Sequence, residues 1–303
     1  MKVLVVYYTQ SGQLLEILKS LMRPLEQSGQ VTVTWEELRP RPRYPFPWKP
    51  VEFCGVQPES VLEVPGELEP LGFDPDEEYD LVVLGYQIWF LSPSIPISTF
   101  LQSPQAARCL KNTPVVTVIG CRNMWLMAHE RVKQRLRGLS ARLVLNLPFG
   151  DRAPNFVSLF TIVAWMFSGK QDYFKALPRA GVSRQDIDGA SRFGALIRDY
   201  LLEPPGSREA TLFEKCPAEV DARLIGVEQA GRRVFTLWAR LIRSRGKPGE
   251  RKRTLFVRAF MVYLSGVITV LFPLTYVVYR IRKLVNPGGI RRDVAYFSGR
   301  SSR

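Results

Sequence analysis

"YYTQSGQLLEIL", residues 7–18, decides how this 303-residue chain is read. It continues the apolar run Val3–Val6. With Tyr7 and Tyr8, that run has the β-branched and aromatic content of a buried parallel strand. Beyond it, Leu14, Leu15, Ile17, Leu18, Leu21, Met22 and Leu25 recur at helical spacing, and Gly29 is a stop signal. The residues between are either a plain turn or a phosphate cradle. Thr9 and Ser11 bring hydroxyls, and Gly12 lets the backbone turn closely. A helix starting near Leu14 aims free N–H groups and its positive dipole end at the same point. There is no lysine as in a nucleoside-triphosphate loop and no GxGxxG of a dinucleotide fold.

The same alternation continues along the chain. Val31–Leu38 predicts a second strand, Asp80–Tyr86 (DLVVLGY) a third, Val115–Ile119 a fourth ended by Gly120, and Ala141–Leu147 a fifth. Met127–Leu136 and Ser183–Leu202 read as helices, the latter with Ile187, Ala190, Phe193, Leu196, Ile197 and Tyr200 on one face. Strands alternating with helices predict an α/β fold: a doubly wound, five-stranded parallel sheet with helices on both faces. Two segments interrupt it. Residues 39–78 are rich in proline and read as a long excursion over the surface. Residues 152–178 contain the apolar stretch Phe156–Phe167, too short to span a bilayer. It is either a buried helix of the core, or a lid or membrane-dipping segment over the site.

Lys and Arg number 42 against 28 Asp and Glu, a net charge of +14. That excess suits an anionic partner: a lipid surface, a nucleic acid or an acidic carrier protein. Cys54, Cys109, Cys121 and Cys216 are too scattered for a metal knuckle or redox pair, and read as reduced thiols. His129 is the only histidine and sits among charged residues, which disfavours a zinc site or a Ser-His-Asp triad. Met1-Lys2 runs straight into the first strand with no signal h-region, so the N-terminal domain is expected in the cytosol.

After residue 203 the character changes. Val234, Phe235, Leu237, Trp238, Leu241 and Ile242 form one apolar face, surrounded by Arg232, Arg233, Arg240, Arg243 and Arg245. This is a basic amphipathic helix suited to anionic lipid. Ala259–Tyr279 then runs uncharged for about the length that crosses a hydrocarbon core. Arginines and lysines crowd both of its flanks, and Gly266 and Pro273 allow a re-entrant path, so firm membrane association is expected and the crossing stays open. The expected domains are a sheet domain over 1–203, a basic amphipathic linker and helix over 204–258, and a hydrophobic membrane segment with a basic tail over 259–303. No recognition motif accompanies the basic residues, which argues against a nucleic-acid role.

In an open parallel sheet, ligands bind beyond the carboxyl ends of the strands. Three stretches lie there. The first is Thr9-Gln10-Ser11-Gly12-Gln13-Leu14. The second is Tyr86-Gln87-Ile88-Trp89-Phe90, followed by Ser92-Pro93-Ser94. The third is Gly120-Cys121-Arg122-Asn123-Met124-Trp125. Aromatic rings in the last two suit stacking on a flat ligand, or core packing.

The first stretch resembles the phosphate loop of the flavodoxin superfamily, T/S-x-T/S-G followed by a polar residue, which holds the phosphate of FMN. Leu14 departs from the threonine common at its position. The second resembles the loop that covers one face of the isoalloxazine. The third matches the loop that borders the flavin ring, where Arg122 or Asn123 would meet the pyrimidine edge and Trp125 would stack. The resemblance spans residues 1–203 and implies an FMN cofactor. The combination of the three stretches with a membrane-like tail looks like a narrower group, the flavodoxin-like proteins labelled dialkylresorcinol condensing enzyme. They belong with ketosynthases of dialkylresorcinol and aryl-polyene pathways. That implies bacterial lipid-like metabolism at the cytoplasmic face of a membrane, an amphiphilic substrate, and a ketosynthase or acyl carrier protein as partner. A thiolase-type condensation needs an active cysteine with histidine partners, and Cys121 has only His129 to call on. Oxidation of a condensed cyclohexanedione to the aromatic ring is therefore the expected reaction. The alternatives are an NAD(P)H:quinone-type reductase and a flavin-free docking scaffold.

Overall fold

A computed structural model describes residues 1–204 and 212–300, without the side chains of 270–276. Five parallel strands form the sheet: β1 (Lys2–Tyr7), β2 (Thr32–Glu37), β3 (Leu81–Trp89), β4 (Pro114–Cys121) and β5 (Arg142–Gly150). Their order is β2-β1-β3-β4-β5. That is the flavodoxin-like doubly wound order, whose switch point lies between β1 and β3. The expected α/β class and parallel sheet are therefore present.

Alternation along the strands builds two cores. Val3, Val5 and Tyr7 point with Leu81, Val83, Val116 and Val118 to one face. Helix α1 (Gln13–Gln27) covers that face with Leu14, Ile17, Leu18, Leu21, Met22 and Leu25. Leu4 and Val6 point with Val82, Leu84, Tyr86 and Ile119 to the other face.

The Pro-rich region departs from the expected surface excursion. It folds α2 (Pro50–Gly55) and α3 (Gln57–Val61), and a two-residue ladder pairs Pro40–Arg41 with Glu67–Leu68. Trp48, Gln57, Ser60, Val61, Glu63 and Phe73 are buried. Prolines stand at the first turns of α2 and α3, where no N–H is required. The proline content thus starts helices here instead of excluding them.

Two unforeseen helices follow, α4 (Ile95–Phe100) and α5 (Pro104–Cys109), each one to two turns long and too short to show a period. Helix α6 (Leu126–Gly138) leads from β4 to β5. Strand β4 continues through Gly120 to Cys121 rather than ending at the glycine, because β5 pairs with it as far as Gly150. Helix α7 (Asn155–Ser168) is the apolar insertion. The expected Ser183–Leu202 helix is two, α8 (Arg184–Gly189) and α9 (Ser191–Leu202), interrupted beside Gly189, a poor helix former. Helix α9 lies so close to α1 that a Cβ at Gly194 would come within 1.9 Å of the Leu21 carbonyl.

The C-terminal region is helical: α10 (Ala222–Arg243), α11 (Arg251–Val285) and α12 (Pro287–Phe297). The boundary expected at 203/204 adjoins residues 205–211, outside the described residues. The apolar face of α10 is turned inward in part, with Leu237 and Leu241 exposed. Phe235 and Trp238 contact Phe260 of α11, and Ile242 is buried. Burial against α11 removes more apolar area from water than an exposed face would. Among the described residues, no helix is long and apolar enough to cross a membrane. Side chains 270–276 of the expected Ala259–Tyr279 span lie outside the described residues.

Candidate functional site

The three strand-end stretches converge on the switch point. In the first, Tyr8 donates from its backbone N–H to Gly85 O at 3.2 Å, so the loop leaves the sheet alongside β3. Gly12 caps α1 with φ 82°, and no side chain caps the helix. A Cβ at Gly12 would meet nothing within 4 Å, so the space in front of the helix is open. Thr9 Oγ1 is buried without a hydrogen-bond partner. Gln10 Nε2 donates to Pro45 O at 3.2 Å. Gln13 is held by Val182, accepting from its N–H at 2.8 Å and donating to its carbonyl at 3.1 Å. Ser11 lies half-buried beside them. Leu14 is 2% exposed and packs toward Gly120. Its side chain belongs to the core, so the residue that departs from the family pattern leaves its backbone N–H in place at the helix start.

In the second stretch, Tyr86 is fully buried and its hydroxyl bonds His129 Nδ1 at 3.0 Å. His129, expected on a charged face, is thus a core residue, with its pKa pushed down to about 3 by burial. Gln87 Oε1 is buried and unpartnered. Trp89 sits in an aromatic cage, edge-on to Tyr8 at 5.9 Å, Tyr44 at 5.0 Å and Trp48 at 5.9 Å. Ile88 pairs with Pro93 and Trp89 with Ser92, so Phe90 and Leu91 are the two central residues of a tight hairpin. Both have positive φ, 50° and 60°. Bulky residues rarely adopt that conformation, and the turn must be held from outside. Helix α10 holds it. Arg232 donates to Ser92 Oγ, to Leu91 O at 3.5 Å and to Val61 O at 3.0 Å. Phe90 stacks on Phe53 at 4.7 Å and meets Phe235 and Phe260.

In the third stretch, Cys121 donates weakly to Phe149 O, and burial pushes its thiol up to about 12. It is therefore a poor nucleophile. Arg122 O accepts from Asp151 N at 2.7 Å, and its guanidinium donates to Asn155 O at 3.3 Å. Burial lowers the Arg122 pKa. Asn123 Nδ2 bonds Asn155 Oδ1, while Asn123 Oδ1 is buried and unpartnered. Gly120 faces Leu14, and Trp125 is buried edge-on to His129 at 5.8 Å.

The two insertions meet near these loops. Trp48 N donates to Met166 O at 2.9 Å, and Phe46 meets Trp165 edge-on at 6.0 Å. Sequence reasoning missed the Tyr8–Tyr44–Trp48 cage, the Tyr86–His129 pair and Glu228 of α10, and expected at a lipid surface the Arg232 that bonds the hairpin. A signal for the last two existed: Leu224, Glu228 and Arg232 recur at four-residue spacing, placing two charges on one helix face with a buried leucine.

No family model matches the chain, and no curated relative does. Among solved structures it is similar to a flavoprotein of Lactobacillus acidophilus NCFM in complex with FMN. The identity is 14%, with 48% of this chain and 92% of that one covered, at TM-score 0.39. It is also similar to a flavodoxin from the domain Archaea, at 12% identity with 67% and 100% covered and TM-score 0.37. A third is oxidised flavodoxin 1 of Bacillus cereus, at 11% identity with 64% and 95% covered and TM-score 0.36. The fold class rests on the strand order itself, 2-1-3-4-5.

Proposed function

We propose that this chain binds FMN at the carboxyl ends of β1, β3 and β4 and works as a redox flavoprotein. One observation carries the reading. Thr9 Oγ1, Gln87 Oε1 and Asn123 Oδ1, one on each strand-end stretch, are buried polar atoms with no partner in the protein. Buried polar groups are mostly bonded, and of the nine such unpartnered side-chain atoms among the described residues these three fall one on each strand-end stretch, which supports a polar ligand there. The uncapped α1 N-terminus, with open space before Gly12, fits the phosphate. Thr9, Ser11 and the first N–H groups of α1 would hold it. Gln87, Asn123 and Arg122 would face the polar edge of the ring. Bound FMN supplies hydride-transfer chemistry. The Trp48–Met166 contact would help keep water from the ring.

At a finer level, the reading is a membrane-associated oxidoreductase of dialkylresorcinol or aryl-polyene-type lipid biosynthesis, aromatising a condensed cyclohexanedione at the cytoplasmic face. An amphiphilic substrate would reach it from the bilayer, and a ketosynthase or acyl carrier protein would be its partner. The resemblance of the three strand-end stretches supports this. So does the exposed apolar face of α11, where Leu284 is 84% exposed beside Lys283. A second reading, a flavin-free scaffold, draws on the burial of Tyr86, Trp89 and Trp125, which leaves those rings occupied by core contacts.

The visible spectrum of the detergent-purified full chain, before and after addition of FMN, separates the two. A flavin spectrum is expected. Thr9→Val should weaken FMN binding about tenfold, the worth of one hydrogen bond to a charged group. A colourless protein that takes up no FMN overturns the flavin reading.

A further inference from the structure

Glu228 lies on α10, roughly a hundred residues from the loop that it meets. It is fully buried, and its Oε2 accepts the backbone N–H of Met127 at 2.9 Å. The N–H groups of Trp125 and Leu126 also favour its charged form. Glu228 is thus the N-terminal cap that α6 lacks from its own sequence, where Trp125 provides no capping side chain. Its other oxygen, Oε1, is buried without a partner. At the strand end, Arg122 and Cys121 interact with it electrostatically.

The remaining charges nearby are engaged elsewhere. On α11, Arg282 approaches Gly226 and is paired with Asp293 of α12 at 2.6 Å. Glu63, just after α3, is paired with Arg131 and Arg135 of α6 and approached by Arg232. Glu59 of α3 pairs with Arg253 of α11 at 2.5 Å. On α6, His129 is held by Tyr86, and Lys133 pairs with Glu130 at 2.5 Å. Arg122 is therefore the cation to which the Glu228 carboxylate is electrostatically coupled. Burial pushes the Glu228 carboxyl up to about 7, against the pull of Arg122 and the three N–H groups.

We propose that Glu228 is a positioning residue of the flavin site: its protonation state sets the order of the Cys121–Met127 segment and the net charge that Arg122 presents there. The C-terminal helices thereby enter the site as part of its machinery. The proposal rests on the flavin reading where FMN is concerned, and not where the segment itself is concerned.

The test uses the full chain in detergent, wild type and Glu228→Gln, at pH 6 and pH 8. Amide hydrogen exchange of peptides covering 121–130 is measured without FMN and corrected for the intrinsic pH dependence. Burial holds the proton on Glu228 and opening the segment releases it, so wild type is expected to be protected about threefold or more better at pH 6 than at pH 8. E228Q should show a ratio near one. FMN titration forms the second arm. Wild type should lose several-fold more affinity than E228Q between pH 6 and pH 8, because the charged carboxylate offsets Arg122. An exchange ratio near one in wild type, or an equal pH response in both proteins, overturns the proposal. If neither protein takes up FMN, the flavin reading fails, and the exchange arm alone decides the role of Glu228. If E228Q does not fold, the wild-type exchange ratio decides it.

Discussion

Glu228, at the N-terminus of α6, and His129, on its inner face, are both buried and carry opposite pH signatures. The unfolded chain protonates His129 near 6.5, whereas the folded chain keeps it neutral down to about 3. Its contribution to stability is present above 6.5 and is lost as pH falls through that window. The unfolded chain ionises Glu228 near 4.5, whereas the folded chain holds the proton to about 7. Its contribution is present below 4.5 and is lost as pH rises. Each gives a slope of about 1.4 kcal/mol per pH unit, and the two oppose each other over the range that both windows share. Glu228→Gln removes only the falling slope. Urea unfolding should therefore show E228Q gaining on wild type as pH rises from acid to neutral. Above pH 7 the gain relative to acid pH should be on the order of 3 kcal/mol, the span from 4.5 to about 7 at that slope. Parallel profiles for the two proteins would refute this account.

Among the elements, the Phe90–Leu91 hairpin depends most on its neighbours. Two bulky residues at positive φ cost on the order of 1–3 kcal/mol each. Arg232 offsets this by bonding the turn and the Val61 carbonyl together, as only a guanidinium fork can. Arg232→Ala should destabilise the protein by about 2–3 kcal/mol in urea unfolding. Arg232→Lys should recover less than half of that, and full recovery by lysine would show that charge alone is needed. This hairpin also marks how far the sequence could be read. Strands β1 and β3 and helix α1 were legible because their periods are set by burial on one or both faces. The turn was not, because it contains neither glycine nor asparagine, the residues that advertise positive φ. The face of α10 was half legible: spacing identified its apolar residues but not what covers them. The strand-end loops were visible as positions, yet the packing of Trp89 depends on Tyr44 and Trp48, which are distant in sequence, and that of Trp125 on the burial of His129, which its charged neighbours conceal.

Across the whole molecule, charge and exposed apolar surface coincide at the C-terminal helices. On α11, Val277, Val278, Ile281, Leu284 and Val285 are all exposed, and Arg280, Lys283 and Arg282 lie among them. Such a face is disfavoured in water and suits the boundary of an anionic bilayer. The full chain should float with vesicles containing anionic lipid. A variant combining Val278→Glu, Ile281→Glu and Leu284→Glu should stay in the dense fraction while keeping its unfolding midpoint. Flotation that survives the triple change would place the membrane contact elsewhere.

The reach of α10 into the loops also fixes an order of events during synthesis. Met127 waits 101 residues for the carboxylate that caps its helix, and Ser92 waits 140 for its arginine. A ribosome adding about 5–20 residues per second therefore exposes the finished sheet for several seconds before these two contacts can form. Over that interval the aromatic hairpin lacks the cover of α10 and α6 has no cap. The nascent chain is then most open to chaperones and proteases, and the strand-end loops mature well after the sheet that carries them.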